Sequence, residues 1–272
     1  MHPTALILPK QATASATLYN PSSLFLHLDA GDSSSYPGSG STWYDLTSNA
    51  YDFSLTNTTY NGTYGAISFT GTNSYAFRTN QVSTIFNFQN LTNGDISFEF
   101  WANLDSSTSI QDTISSLGFA YGSAGTTYWQ WRVFHSYGTV GSYTGSYYQV
   151  NFIQSNTVNY GKLIQNTDPN YTSSQSASTW YHFFVTFDIS TQTITWYQNG
   201  VDVGGTYTGT GCTSYRSVNT SWDDLGVGAS DNNGSKYYSF DGDIAVFRMY
   251  DECVGATDVA GNFDYYKARF GY

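Results

Sequence analysis

Charge is scarce in this chain. Lys and Arg together number nine and Asp and Glu twenty among 272 residues, so charged side chains make up 11% and the formal net charge is −11. Affinity for nucleic acid comes largely from Lys and Arg against phosphates, and nine scattered cations on an acidic chain build no such groove. Anionic membrane surfaces are excluded as partners for the same reason. No run is long and apolar enough for membrane insertion as a helix. The apolar patch at residues 5–8, closed by Pro9, is too short for a secretory h-region. That leaves a mature secreted form, or a protein that leaves its cell inside a particle released by lysis. Two cysteines, Cys212 and Cys253, are too few for a disulfide scaffold. They pair if strand order brings them together and otherwise stay separate thiols. Glutamate is nearly absent, with only Glu99 and Glu252, and there are four histidines.

What is abundant is aromatic. Phe, Trp and Tyr reach 18%, with twenty-five tyrosines and seven tryptophans. A disordered chain is poor in such residues, and aromatic and β-branched residues favour pleated surfaces. The clearest pattern is residues 180–204, WYHFFVTFDISTQTITWYQNGVDVG. Tyr181, Phe183, Val185 and Phe187 share one face of a strand, and Trp180, His182, Phe184 and Thr186 the other. Apolar residues on both faces place that strand between two apolar layers. Residues 193–198 alternate again, and Asn199-Gly200 suits a tight hairpin into residues 201–203. Further short strands are read at residues 24–28, 66–69, 75–78, 96–104, 110–119, 128–135, 147–154, 160–165, 224–229 and 243–250. Residues 66–69 and 75–78, flanking Gly71-Thr72-Asn73, read as a hairpin, and residues 257–267 as the single helix. Such short, regularly punctuated strands predict a sandwich rather than α/β alternation. Residues 1–23, with Pro3, Pro9 and Pro21, read as an N-terminal arm, and residues 24–272 as one domain.

Four pieces carry a resemblance. They are LHLDAGDSSSYPGSGSTWYDLTSN at residues 26–49, ISFEFWAN at 96–103, the 180–204 stretch, and FDGDIAVFRMYDECVGATDVAGNFDYYKARF at 240–270. In this order they resemble the laminin-G-like, concanavalin-A-like jelly roll. The resemblance implies an all-β fold: an antiparallel two-sheet sandwich with one short C-terminal helix. It says little of function, since that fold hosts lectins, enzymes, receptors and virion proteins.

Enzymatic chemistry finds few candidates. The jelly-roll glycosidases place Glu-x-Asp-x-x-Glu or a close variant on one strand, and retaining enzymes hold two carboxyl groups about 5 Å apart. Neither glutamate stands in such a motif, and Glu99, opposite in direction to Phe98 and Phe100, reads as a paired or sheet-surface carboxylate. No serine elbow, zinc-ligand spacing or phosphate loop is present. The expectation is a chain without enzymatic activity.

Calcium takes six to eight oxygens from carboxylates and loop carbonyls. The resemblance puts the first and last strands side by side, which implies a structural Ca²⁺ site from Asp29, Asp241 and Asp243 with Asp45 nearby. The alternative is that each Asp takes backbone N–H groups in a turn. For glycans, which stack C–H faces on rings, the candidates are Trp129 and Trp131 on one strand and Trp222 with Asp223 in a loop. The alternative for each ring is core packing. Residues 26–49 also resemble the opening of domains in phage and large-virus structural proteins. The resulting expectation is a surface, fibre or decoration protein of a virion, at the virion surface or otherwise extracellular. It would contact other virion proteins or its own copies, and cell-surface glycans. The alternatives are a secreted or cell-surface carbohydrate-binding or adhesin module, and after it a polysaccharide hydrolase or lyase.

Overall fold

The computed structural model describes residues 16–79, 84–105, 111–117, 130–140, 143–153, 160–163, 176–204, 207–208, 213–215, 224–232 and 235–272. The stretch with the strongest alternation folds as it predicts. Trp180–Asp188 pairs antiparallel with Thr193–Gln198, from Phe183 opposite Gln198 to Asp188 opposite Thr193. Asn199 and Gly200 take φ of 52° and 77° and turn the chain into Val201–Gly204. Positive φ at both central residues gives a turn whose twist matches the strands it joins.

Two large sheets follow, and every strand pair among the described residues is antiparallel. The first runs Val201–Gly204, Thr193–Gln198, Trp180–Asp188, Ile96–Leu104, Asp241–Tyr250, Ala66–Thr70, Thr59–Asn61, with Leu24–Asp29 also paired to Asp241–Tyr250. The second runs Tyr207–Thr208, Tyr160–Leu163, Tyr143–Ile153, Trp131–Val140, Gln111–Leu117, Leu225–Val227, Tyr75–Arg78, Phe53–Thr56, Thr42–Trp43. Their inner faces meet in one core, in which Phe98 packs on Trp131, Phe100 on Tyr148 and Phe187 on Phe152. The first and last strands are neighbours as the resemblance implies, with Asp29 opposite Val246.

The hairpin read at residues 66–78 does not form. Ala66–Thr70 pairs with Asp241–Tyr250 in the first sheet, whereas Tyr75–Arg78 lies between Phe53–Thr56 and Leu225–Val227 in the second. The glycine and asparagine at 71 and 73, φ 70° and 53°, do turn the chain, but they carry it across the edge of the sandwich. Local turn residues report a reversal; they do not report which sheet receives the next strand.

The outer face of the first sheet is covered by a second apolar layer. Helix Ala256–Tyr266 and the 3₁₀ turn Lys267–Phe270 close over it, with Phe270 stacked on Trp101 at 4.1 Å and tilted on Trp180 at 4.7 Å. Trp180–Asp188 is therefore buried on both sides: Phe183, Val185 and Phe187 in the main core, Trp180 and Phe184 under the C-terminal segment. Residues 16–23 belong to this layer. Leu18 and Tyr19 pack against it, and the Tyr19 N–H donates to Asn262 Oδ1 at 2.8 Å.

Inside this layer lies a buried ionic network. Glu99 has no solvent exposure. Its Oε1 accepts from His182 Nε2 at 3.1 Å; its Oε2 accepts from Arg248 Nη1 at 3.0 Å, Tyr250 Oη at 2.5 Å and Asn262 Nδ2 at 2.8 Å. Arg248 Nη2 in turn donates to the Tyr19 carbonyl at 2.6 Å and to Asn20 Oδ1 at 2.5 Å, which ties residues 19–20 to the sheet. Glu99 is thus a paired structural carboxylate, with no path to a substrate. Cys253 carries a free thiol at the surface, and Cys212 lies outside the described residues.

Candidate functional site

Where the first sheet is covered, part of the second sheet's outer face is open. Along Phe53–Thr56 and Tyr75–Arg78 the side chains alternate, with Phe53, Leu55 and Ala76 packed into the core. Ser54 stands opposite Phe77 and Thr56 opposite Tyr75, so these four share the outer face. Tyr75 and Phe77 meet edge to face, their centroids 5.2 Å apart. The next strand contributes Gly226 opposite Phe77. A Cβ at 226 would lie 2.8 Å from Phe77 Cζ and 2.2 Å from the Ala229 carbonyl oxygen, so glycine is what lets the ring lie against that strand.

One cation is brought to these rings and a second stands beside them. Lys236, on the short strand Ser235–Tyr237, holds Nζ 3.8 Å from the Phe77 centroid and 5.4 Å from that of Tyr75. Arg78 lays its guanidinium over Tyr51 at 5.0 Å and donates from Nη1 to the Asp52 carbonyl at 3.2 Å. With Asp52, Thr79 and Asp224 these residues line a groove of about 480 Å³. Asp52 is fixed in place, its Oδ1 accepting the Asp45 N–H at 3.0 Å. A concave site with an aromatic wall and convergent polar groups is what a small polar ligand requires. Hydroxyls of Ser54, Thr56 and Thr79, two carboxylates and two cations surround the ring edges here, and neither His nor Cys is among the described lining residues.

The residues singled out in the sequence are placed elsewhere. Trp131 is buried, at 0% exposure: it stacks on Phe88 at 5.0 Å and 1°, and its Nε1 donates to the Phe86 carbonyl at 3.0 Å. Its assignment to a glycan surface is corrected; alternation tells which residues share a face, not whether that face is wet. Trp129, Trp222 and Asp223 lie outside the described residues. The four aspartates do not converge either. Asp29 pairs with Arg269 Nη1 at 2.6 Å, and its Oδ1 accepts the Gly31 N–H. Asp45 accepts the backbone N–H groups of His27, Thr47 and Tyr51. Asp243 is bonded by Asn61 and by a short contact from Ser68, and Asp241 opens the last strand beside Gly71. Among the described residues no three His, Cys, Asp or Glu side chains group to hold a metal ion. The turn-capping alternative accounts for Asp45, an ion pair for Asp29.

Two antiparallel sheets, one covered and one bearing an open aromatic and polar groove, define a lectin/glucanase-like β-sandwich. The sequence model of the concanavalin A-like lectin/glucanases superfamily, a laminin-G-like one, matches residues 77–260, and the chain belongs to that family. No curated protein matches it. Among solved structures, Trypanosoma rangeli sialidase in complex with sialic acid is similar at TM-score 0.58 and 12% identity, over 98% of this chain and 36% of that one. The binding domain of botulinum neurotoxin DC in complex with SialylT is similar at 0.57 and 13%, over 90% and 52%. Domain 4 of AbnA, a GH43 extracellular arabinanase from Geobacillus stearothermophilus, in complex with arabinotriose, is similar at 0.54 and 14%, over 87% and 96%. The chain thus spans about a third of the sialidase it matches. The expectation of a chain without enzymatic activity is overturned by these neighbours: the fold occurs within sialidase chains, so the sandwich gives no ground for excluding catalysis. At such identities the likeness is one of fold.

Proposed function

We propose that this chain is a carbohydrate-binding sandwich domain whose sugar site is the groove between Ser54, Tyr75 and Lys236. The observation that carries this is the arrangement of ring edges, hydroxyls and carboxylates in one open space of about 480 Å³. A sugar presents an apolar C–H face and a rim of hydroxyls. Tyr75 offers the apolar contact, and Asp52, Asp224, Ser54 and Thr56 offer acceptors and donors for the rim. Two structures of similar fold hold saccharide ligands by name, SialylT and arabinotriose, which supports the reading. A glycan array is expected to return selective binding, and Tyr75→Ala to weaken the best ligand about tenfold, or about 1.4 kcal/mol. An array without selective binders, or a Tyr75→Ala protein that binds as well as the parent, contradicts it.

We further propose that the domain serves at the surface of a viral particle, as a fibre or decoration part contacting other virion proteins or its own copies. The support is the resemblance of residues 26–49 to openings of phage and large-virus structural domains, together with low charge and abundant aromatics. Mass spectrometry of purified particles from the source is expected to find the protein at stoichiometric level. Its absence there, with the protein free in the medium, favours a secreted adhesin module instead.

A further inference from the structure

Resting on that reading of the groove, we propose that the groove is the inner part of a longer binding face, which takes a linear oligosaccharide rather than a single sugar, with Tyr44 as a second stacking ring. Strand register carries this. Trp43 lies opposite Phe53, both buried in the core, and Thr42 lies opposite Ser54. Tyr44 follows Trp43, so by alternation it stands on the outer face with Thr42, and it is 43% exposed. The next residue, Asp45, donates its N–H to Asp52 Oδ1 at 3.0 Å, which sets Tyr44 beside Asp52. Asp52 also lines the groove, so the exposed ring and the groove share one wall.

The line from Tyr44 to Tyr75 is a diagonal of the sheet. Ser54 is two residues beyond Asp52 on its own strand, and Tyr75 lies opposite Thr56, two residues beyond Ser54. Diagonal neighbours on one sheet face are about 7–8 Å apart, so two such steps put Tyr44 and Tyr75 about 15 Å apart with Ser54 midway. One sugar ring does not reach both tyrosines. A short chain of sugars laid along the diagonal meets a ring, a hydroxyl and a ring in turn.

The groups on this line are uncommitted. Tyr44 packs on no other ring among the described residues, and none of them hydrogen-bonds the hydroxyls of Tyr44, Ser54, Thr56 or Tyr75. The other exposed tyrosines differ. Tyr272 donates its hydroxyl to the Trp180 carbonyl at 2.5 Å, Tyr265 packs edge to face on Tyr266 over the covered sheet, and Tyr238 lies under Arg132. Tyrosines and small hydroxyl residues supply contact area and adaptable hydrogen bonds at low entropy cost. Recognition along the diagonal needs neither Arg78 nor Lys236, which are engaged with Tyr51 and Asp52 and with Phe77.

The test is calorimetric titration of the full chain with malto-, cello-, xylo-, manno- and galacto-oligosaccharides, each as the single sugar and as chains of two to six units. Where the single sugar binds too weakly to titrate, its competition against the labelled tetrasaccharide gives the value. In at least one series, affinity is expected to rise about tenfold or more from the single sugar to the tetrasaccharide and then to level off. Tyr44→Ala is expected to weaken the tetrasaccharide about fivefold or more, while affinity for the single sugar stays within about twofold. Tyr75→Ala is expected to weaken both. Tyr44→Phe, which keeps the ring, is expected to bind the tetrasaccharide within about twofold of the parent. A melting midpoint within about 2 °C of the parent certifies that each variant is folded. Equal affinity at every length overturns the extended face and leaves the groove as a single-sugar site. So does a Tyr44→Ala protein that binds the tetrasaccharide as the parent does while Tyr75→Ala does not. Sedimentation without sugar is expected to show no dimer that depends on Tyr44; a dimer abolished by Tyr44→Ala overturns the proposal, since that ring is then a contact between copies. No binding of any series, or binding that neither tyrosine affects, overturns both this assignment and the reading it rests on.

Discussion

Glu99→Ala is expected to lower the stability of the folded chain by about 3–5 kcal/mol, the cost of removing one partner from a buried ion pair. For a domain of this size each kcal/mol moves the melting midpoint by roughly 2–4 °C, so the shift is measurable by calorimetry without ambiguity. The reason is the number of groups that lose their acceptor together. Arg248, His182, Tyr250 and Asn262 all donate to this carboxylate in a layer closed to water. Arg248 would keep its bonds to Tyr19 and Asn20 but lose its counter-charge. A combined Glu99→Met, Arg248→Met variant is expected to recover much of the loss, because neither charge is then stranded. Residues 16–23 should also become more protease-sensitive in the Arg248 variants, since Arg248 fastens them. A loss below about 1 kcal/mol in Glu99→Ala would mean that the network is ornamental to the fold.

Acid is expected to act on the same layer. Burial, and after it the Arg248 guanidinium, depress the His27 imidazole from 6.5 to about 3, against the opposing pull of Glu99 and Asp32. A neutral buried histidine takes up its proton on unfolding, so the unfolded chain binds more protons between those two values. Stability from this group is complete above pH 6.5 and falls toward pH 3, by up to about 1.4 kcal/mol per pH unit. Burial alone would raise the Glu99 carboxyl, but Arg248 and the bonds from His182 and Tyr250 outweigh it and hold it at about 2. Its contribution is complete above the ordinary 4.5 and is lost as pH falls toward 2. Asp95 and Asp105, which burial holds above their usual range, act with the opposite sign. Denaturant titrations from pH 7 to 4 should therefore show stability declining first below pH 6.5. His27→Gln should flatten the decline between pH 6.5 and 4.5. A profile already flat there in the parent chain would contradict the buried, neutral His27.

The sheet was legible where one signal decides one thing. Alternation in residues 180–187 gave two buried faces, and Asn199-Gly200 gave a hairpin, because both depend only on neighbours in sequence. Residues 66–78 misled for the same reason: their turn is local, but the partners of each strand are residues 241–244 on one side and 53–56 and 225–227 on the other. The groove was not legible at all. Ser54, Tyr75, Arg78, Asp224 and Lys236 are ordinary residues at distant positions, and only strand register assembles them. Conspicuous residues drew attention instead. Trp131 is large because it fills the core against Phe88 and Phe98, and Asp29 is buried because Arg269 pairs with it. One cue was available in the sequence: Tyr75-Ala76-Phe77, where a small inward residue between two rings marks the rings as outward-facing.

The most direct test of the groove as a sugar site is a crystal structure of the full chain with the glycan that binds best on the array. The ligand is expected against Tyr75, with hydroxyls bonded to Ser54 or Asp52. A ligand seated on another surface, with the space between Tyr75 and Lys236 filled by water alone, would contradict the assignment.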